Sequence, residues 1–177
     1  MSVELSRPLP DEHAPYFSRY IDLVPDGDIV ETLTLQLGET LALLQDVPPE
    51  RERHRYAPDK WSIREVVGHL IDVERVFAYR AIAIARSDGV DIPSMEQEEW
   101  ARRSNAHERP LDDLAFEWAA LRRANVHMFA TLGPGTGMRR GKAGGNPVTV
   151  RSLPWMIAGH ELWHRELLAR DYLTDRA

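Results

Sequence analysis

Hydrophobic residues recur every three or four positions in four separate stretches of the chain, which is the spacing of amphipathic helices. The first stretch begins near Asp28 and ends before the Pro48-Pro49 pair. Its apolar positions are Ile29, Leu33, Leu37, Leu41 and Leu44. The second begins at Ser62, three residues before Glu65, and this spacing is typical of a capping box. It ends at Ser87-Asp88-Gly89 and carries the apolar positions Ile63, Val66, Val67, Leu70, Phe77, Ala81 and Ile84.

The third predicted helix follows Pro110, and the fourth begins near Ser152 and runs to about Arg170. Pro154 suits the first turn of that last helix. The inner positions of the third helix are Leu111, Leu114, Ala115, Trp118, Leu121, Asn125 and Phe129. Residues 1–27 are rich in proline and predict an irregular segment. Residues 88–110 predict a long loop with a short helix around Glu96–Arg103, and GPGTGMRRGKAGGNP predicts a flexible basic loop.

No stretch shows the alternation of a β-strand, and none repeats at a fixed period. The pattern therefore predicts an all-α fold, a four-helix bundle with long inter-helix loops. We expect a single domain over residues 1–177, with the bundle at 28–170. Connections this long do not determine the order of the helices around the bundle.

Composition narrows the possible functions. The chain has 177 residues, of which 43% are hydrophobic and 28% charged, and these values exclude a disordered chain, a collagen and a membrane protein. Its net charge of −6 argues against nucleic acid as a partner. There is no cysteine, hence no thiolate nucleophile, and Lys60 and Lys142 are the only lysines. The first residues lack an apolar signal region, so we expect a cytoplasmic protein.

The most informative residues are His160 and His164. They are four positions apart on a predicted helix, so their side chains share one face. On a helical wheel both fall in the middle of the apolar stripe, whose members are Leu153, Met156, Ile157, Leu167 and Leu168. Buried imidazoles need partners, because each desolvated polar atom costs roughly 1–3 kcal/mol. A shared metal ion and two hydrogen-bonded core histidines are both consistent with this pattern.

A catalytic zinc site needs a third protein ligand. His69 on the second helix is the leading candidate, since it lies at the border of the apolar stripe. A boundary histidine with one face in water is the competing interpretation. The remaining histidines lie in the tail, the loops or a polar helix face, and we expect them to be solvated; they are His13, His54, His107 and His127.

Several carboxylates lie near these histidines in sequence. The capping box accounts for a glutamate at position 65, so Glu65 needs no catalytic role. Asp72 follows His69 by three residues, where it either orients a ring nitrogen or is solvated. Glu74 shares the apolar stripe, so it needs a partner such as Arg80 or a ligand histidine. Glu161 lies at the edge of the apolar stripe of the fourth helix. It is either a general base or, more simply, a solvated residue.

The basic segment GMRRGKAGG does not fit a phosphate-binding loop. The glycine-lysine spacing is wrong, and Ala143 stands where a magnesium-binding Ser or Thr belongs. The segment still contributes to a local basic patch, which either contacts an anionic substrate group or is simply solvated. The members of this patch are Arg139, Arg140, Lys142 and Arg151.

Taken together, KWSIREVVGHLIDVERVFAYR at 60–80 and AGHELWHRELL at 158–168 resemble the DinB/YfiT-like superfamily. The matching features are Trp61-Ser62 at a helix start, a histidine at position 69 and the HxxxH of His160 and His164. The resemblance implies a four-helix bundle with a three-histidine metal site at one end of the core. It also implies zinc or nickel as the metal and, in many members, a homodimer. Some relatives are thiol-dependent transferases or isomerases that use mycothiol or bacillithiol, and others are described as hydrolases.

Three hypotheses follow. The first is a metal-dependent enzyme, a hydrolase or a small-thiol-dependent transferase, acting on a small-molecule substrate. With no cysteine in the chain, any thiol must come from a cosubstrate. The second is a non-catalytic metal-binding stress-response protein of the same fold, and the third is a helical interaction module with structural histidines. We expect the metal ion to have three protein ligands and an open coordination position, because the chain has no cysteine and no other side chain is well placed to be a fourth ligand.

Overall fold

The computed structural model describes residues 5–173, which form six helices and three short strands. The helices are α1 (Ser18–Ile21), α2 (Ile29–Gln45), α3 (Ile63–Arg86), α4 (Gln97–Arg103), α5 (Leu111–Ala130) and α6 (Ser152–Leu167). The strands are β1 (Asp91–Ile92), β2 (Arg140–Ala143) and β3 (Asn146–Thr149). Single 3-10 turns occur at Pro10–Glu12, Pro15–Phe17, Pro49–Arg51, Ala106–Glu108 and Thr136–Met138, and a π turn, Leu168–Tyr172, extends α6. The four long helices coincide with the four periodic stretches, and they form the predicted four-helix bundle.

The helix starts follow from their capping residues. The Asp28 carboxylate accepts hydrogen bonds from the backbone N–H groups of Val30 and Glu31 and so begins α2. At α3, the Ser62 hydroxyl accepts from the Glu65 backbone while the Glu65 carboxylate accepts from the Ser62 backbone, which confirms the capping box. The short helix predicted around Glu96–Arg103 is present as α4.

The expectation of a fold without strands was wrong, because a small sheet joins the predicted loop at residues 88–110 to the predicted flexible basic loop. Its order is β1-β2-β3, with β1 parallel and β3 antiparallel to β2. Gly144 and Gly145 adopt φ values of +57° and +77°, as a tight two-residue hairpin turn requires. Strands of two to four residues are too short to show alternation. Pro147 is tolerated because β3 lies at the edge of the sheet.

The N-terminal segment is more ordered than predicted. It contains α1, and it is fixed to the rest of the chain by a buried ion pair between Glu12 and Arg151. The Trp155 indole N–H also donates to the Leu5 carbonyl at 2.9 Å. Residues 1–4 of the predicted irregular segment lie outside the described residues. These contacts place α1 directly against α6.

Within the bundle, the buried apolar side chains form two clusters. One cluster includes Leu33, Phe77 and Leu153, and the other includes Leu44 and Trp118. Each long helix also carries buried polar residues: Gln36 and Thr40 on α2, His69 and Glu74 on α3, Arg122 and Asn125 on α5, and His160, Glu161 and His164 on α6. Among residues 5–173, no helix has the length and apolar character needed to cross a membrane.

Candidate metal centre

The structure brings His69, His160 and His164 together inside the bundle. One ring nitrogen from each residue lies within 4.8 Å of those of the other two. Nε2 of His69 is 3.1 Å from Nε2 of His160, and the three ring centroids are separated by 4.5–5.1 Å. Their exposed fractions are 4%, 6% and 8%, so the interpretation of His69 as a half-solvated boundary residue was wrong.

Two aromatic side chains fix the positions of these imidazoles. The Trp61 ring packs on His69 at a centroid distance of 4.7 Å, and the Tyr20 ring meets His160 edge-on at 5.4 Å. Tyr20 reaches this position because Gly159 has no side chain. A Cβ at position 159 would lie 2.0 Å from the Tyr20 carbonyl oxygen. The glycine therefore permits the close approach of α1 and α6 beside His160.

Burial keeps all three histidines neutral. Desolvation lowers the pKa of His69 to about 3, with a smaller contribution from His164. Desolvation alone lowers the pKa of His164 to about 4, and it lowers the pKa of His160 well below its ordinary value. Only neutral imidazole has a lone pair available for a metal, so the group is in its metal-binding state at neutral pH.

The spacing of the ring nitrogens fits a shared metal ion better than two hydrogen-bonded core histidines. Nδ1 of His69 and Nδ1 of His164 are buried without a partner among the described residues, so hydrogen bonds within that part of the protein do not account for these rings. Two imidazoles on one tetrahedral zinc, each at about 2.05 Å, have their nitrogens roughly 3.3 Å apart, close to the separation of His69 and His160. The group in residues 5–173 consists of three histidines and no carboxylate. A set of three neutral imidazoles suits a divalent transition metal such as zinc or nickel.

Next to this group lies a buried ionic cluster made of Glu74, Arg122 and Glu161. Their side chains are each at most 2% exposed. The Arg122 guanidinium donates twice to Glu74, at 2.6 and 2.9 Å, and once to Glu161. Trp118 Nε1–H also donates to Glu74, and the Thr40 hydroxyl donates to Glu161. The expectation that Arg80 or a histidine pairs with Glu74 was therefore wrong, and the solvated interpretation of Glu161 was wrong too.

Attraction between opposite charges stabilises this cluster. Burial acts to lower the pKa of Arg122, but the carboxylates of Glu161 and Glu74 outweigh it and raise the pKa above its ordinary value. Burial raises the pKa of Glu161, and the attraction of Arg122 offsets that only in part. Because Glu161 directly follows His160 on α6, its bonds to Arg122 fix the rotation of α6 and thereby the direction of the imidazole.

The other sequence candidates lie away from the histidine group. Asp72 is partly buried, which raises its pKa, and it does not bind the orphaned Nδ1 of His69. Glu65 is occupied by its cap and by an ion pair with Arg55. His13 is buried, contrary to prediction, with Nδ1 3.0 Å from the Ala14 carbonyl oxygen. The remaining three lie outside the core, with His54 and His127 exposed and His107 partly buried against the Ser62 hydroxyl.

The basic patch is mostly neutralised by ion pairs. Arg139 pairs with Asp88, and Arg140 pairs with Asp11. Arg151 is buried with Glu12, and Lys142 is exposed on β2. The patch therefore joins the β-hairpin to the rest of the fold and does not form a free anion-binding surface.

Two pockets reach the histidines from different sides. The larger, of about 580 Å³, is lined by His160, Arg80 and mainly apolar side chains such as Phe77. The other, of about 420 Å³, contains His69 and His164. Tyr16 and Tyr20 line both pockets. The histidine group is thus accessible to small molecules although its side chains are buried in the bundle.

Sequence reasoning overlooked two residues of this region. Arg122 follows Trp118 by four positions and precedes Asn125 by three, so a cation in the apolar stripe of α5 was a visible sign of a buried ion pair. Tyr20 lies in the segment predicted to be irregular. Burial and its contact with Tyr16 raise the pKa of Tyr20 to about 12, so its hydroxyl keeps its proton. The aromatic cluster at residues 16–20 was the available signal.

Comparison with known proteins agrees with this architecture. Over 73 residues the chain is 34% identical to an Oceanobacillus iheyensis protein named "putative metal-dependent hydrolase", a match spanning 41% of this chain and 40% of that protein. The fold is similar to that of YfiT from Bacillus subtilis, described as a probable metal-dependent hydrolase with an unusual four-helix bundle topology. The TM-score is 0.66 at 15% identity, over 95% of this chain and 98% of YfiT. The DinB superfamily model matches residues 32–168, a range that contains α3, α5, α6, all but the first three residues of α2, and all three histidines. The chain therefore belongs to the DinB superfamily.

Proposed function

We propose that this protein is a metal-dependent hydrolase of a small-molecule substrate, with one divalent ion, zinc or nickel, bound by His69, His160 and His164. The observation that supports this most is the burial of three neutral imidazoles that each bring one ring nitrogen within 4.8 Å of the other two. The name of the Oceanobacillus relative points to the same chemistry.

Such an ion, when bound, makes a coordinated water acidic enough to deprotonate near pH 7 and polarises a substrate carbonyl. The residues of the chain supply the surroundings. The Glu74–Arg122–Glu161 cluster orients α6, and the Tyr20 and Trp61 rings limit the access of bulk water. The Tyr20 hydroxyl, 3.1 Å from that of Tyr16, keeps its proton and can donate a hydrogen bond to a molecule bound in either pocket that Tyr20 lines.

Elemental analysis of the purified protein tests the metal assignment. We expect up to one divalent ion per chain, and we expect His69→Ala, His160→Ala and His164→Ala each to lose it. His127→Ala, which changes an exposed histidine, is the matched control and should retain full occupancy. Full occupancy in His69→Ala would remove His69 from the ligand set.

Hydrolysis of a panel of p-nitrophenyl esters tests the activity. Activity should disappear after chelation and return when one equivalent of metal is added. A protein that binds the ion stoichiometrically but hydrolyses nothing would favour the second hypothesis, a non-catalytic metal-binding stress-response protein.

A thiol-dependent transferase is the second candidate, and the two separate pockets that meet at the histidines favour it. One pocket would take a small thiol and the other its acceptor. An activity that strictly requires an added low-molecular-weight thiol would distinguish this function from hydrolysis. The homodimer stays a prediction, which sedimentation equilibrium tests directly.

A further inference from the structure

Arg80 is a buried cation that has no anionic partner among the described residues. It lies on α3 and is 5% exposed, and no carboxylate of residues 5–173 forms an ion pair with it. Its one hydrogen bond to the described protein runs from Nη2 to the Pro93 carbonyl oxygen, at 3.2 Å, and its Nε is buried without an acceptor. The other two arginines that are buried within residues 5–173, Arg122 and Arg151, are both paired with glutamates.

This unpaired guanidinium lines the same pocket of about 580 Å³ that His160 lines. The wall between them is largely apolar and includes Phe77 and Met156, and the Phe77 ring lies 5.5 Å from the Arg80 guanidinium carbon. Three glutamates and a second arginine also line this pocket. Glu96 and Glu98 are exposed, and Glu99 pairs with Arg102 and Arg103. None of the three glutamates forms an ion pair with Arg80.

A desolvated charge without a partner is costly, so an arginine in this state indicates a ligand that supplies the missing acceptor. A guanidinium presents Nε–H and Nη–H in a planar fork that matches the two oxygens of a carboxylate. The apolar wall indicates that the rest of the ligand is a hydrocarbon body. A phosphate group would carry more charge than one guanidinium neutralises.

We propose that this pocket binds a small organic acid. Its carboxylate accepts hydrogen bonds from Arg80, its apolar body packs on Phe77 and Met156, and its far end lies towards His160. The assignment of this acid as the substrate rests on the proposed function. The binding of the acid by Arg80 does not depend on that function.

Calorimetric titration with matched acids and amides tests the proposal. The probes are 3-phenylpropanoate and hexanoate, each compared with its primary amide, which has the same shape without the charge. We expect the protein as purified to bind at least one of the acids ten or more times more tightly than its amide. Arg80→Gln should reduce that preference to less than twofold, and Arg80→Lys, which keeps the charge but loses the fork, should give an intermediate value. Arg86→Gln removes an exposed arginine from the same helix and should leave the preference unchanged.

Two further readouts keep the outcome clear. In ¹⁵N-labelled protein the Arg80 Nε–H signal should shift on addition of the acid, and the melting temperature of Arg80→Gln shows whether that variant is folded. Absence of binding by both acids at millimolar concentration would overturn the proposal. An acid preference that survives in folded Arg80→Gln would do the same, since the acid would then be bound elsewhere. Repeating the titration with chelator separates this result from the proposed function, because Arg80 should bind the acid with or without metal.

Discussion

Acidification of the metal-free protein is expected to destabilise it, and the three buried histidines determine by how much. In the folded state burial lowers the pKa of His69 to about 3 and that of His164 to about 4, and His160 is shifted in the same direction. In the unfolded chain each histidine titrates near 6.5. Because the unfolded state then binds more protons, the free energy of unfolding falls as the pH falls below 6.5.

The size of the effect follows from proton linkage. At pH 5.5, one unit below the unfolded pKa, each histidine that stays neutral in the folded state lowers the free energy of unfolding by about 1.4 kcal/mol. Three such histidines cost about 4 kcal/mol, a large part of the roughly 5–15 kcal/mol that stabilises a typical domain. The raised pKa of Glu161 works in the opposite direction, because that carboxyl binds its proton more tightly when folded. Comparison between variants therefore isolates the histidine contribution.

The assay is urea unfolding, followed by circular dichroism in the presence of EDTA, at pH 7.5 and 5.5. The free energy of unfolding of the wild type should fall by several kcal/mol between the two pH values. That of His164→Gln should fall by about 1.4 kcal/mol less. His127→Gln, at an exposed position, should lose as much as wild type. An equal loss in wild type and His164→Gln would show that His164 takes up its proton in the folded state, and would refute the reasoning from burial.

Two substitutions test the packing around the site, both by urea unfolding at neutral pH. Gly159→Ala should destabilise the protein by about 1–3 kcal/mol or more, because its Cβ would lie 2.0 Å from the Tyr20 carbonyl oxygen. Gly38→Ala, on α2 with nothing within 4 Å of the added Cβ, should be neutral or stabilise by up to about 1 kcal/mol; equal losses in the two variants would contradict the clash. Arg122→Met should cost about 3–5 kcal/mol, because it leaves two buried glutamates without their cation. Arg123→Met, at the exposed neighbouring position, should change stability little, and a similarly small effect of Arg122→Met would mean that the glutamates are neutral in the folded state.

Local signals in the sequence were sufficient to predict the helices and the faces they bury. The Asp28 cap and the Ser62–Glu65 capping box determine helix starts within a few residues, and three-to-four periodicity depends only on neighbours along one helix. The same periodicity placed His160 and His164 on one buried face. For such features the interacting atoms lie within a turn or two of each other in the chain.

The partners of buried polar groups are decided by tertiary structure, because they come from distant helices. Glu74 could be recognised as buried, but its pairing with Arg122 depends on how α3 and α5 face each other. The hairpin at residues 140–149 forms because β2 pairs with both β1 and β3, which a four-residue segment does not reveal. Likewise, the meeting of His69 with His160 across the bundle depends on the relative rotation and height of α3 and α6. The sequence by itself determined the helices and their apolar faces, whereas the packing of the helices decided which polar residues are buried and what those residues contact.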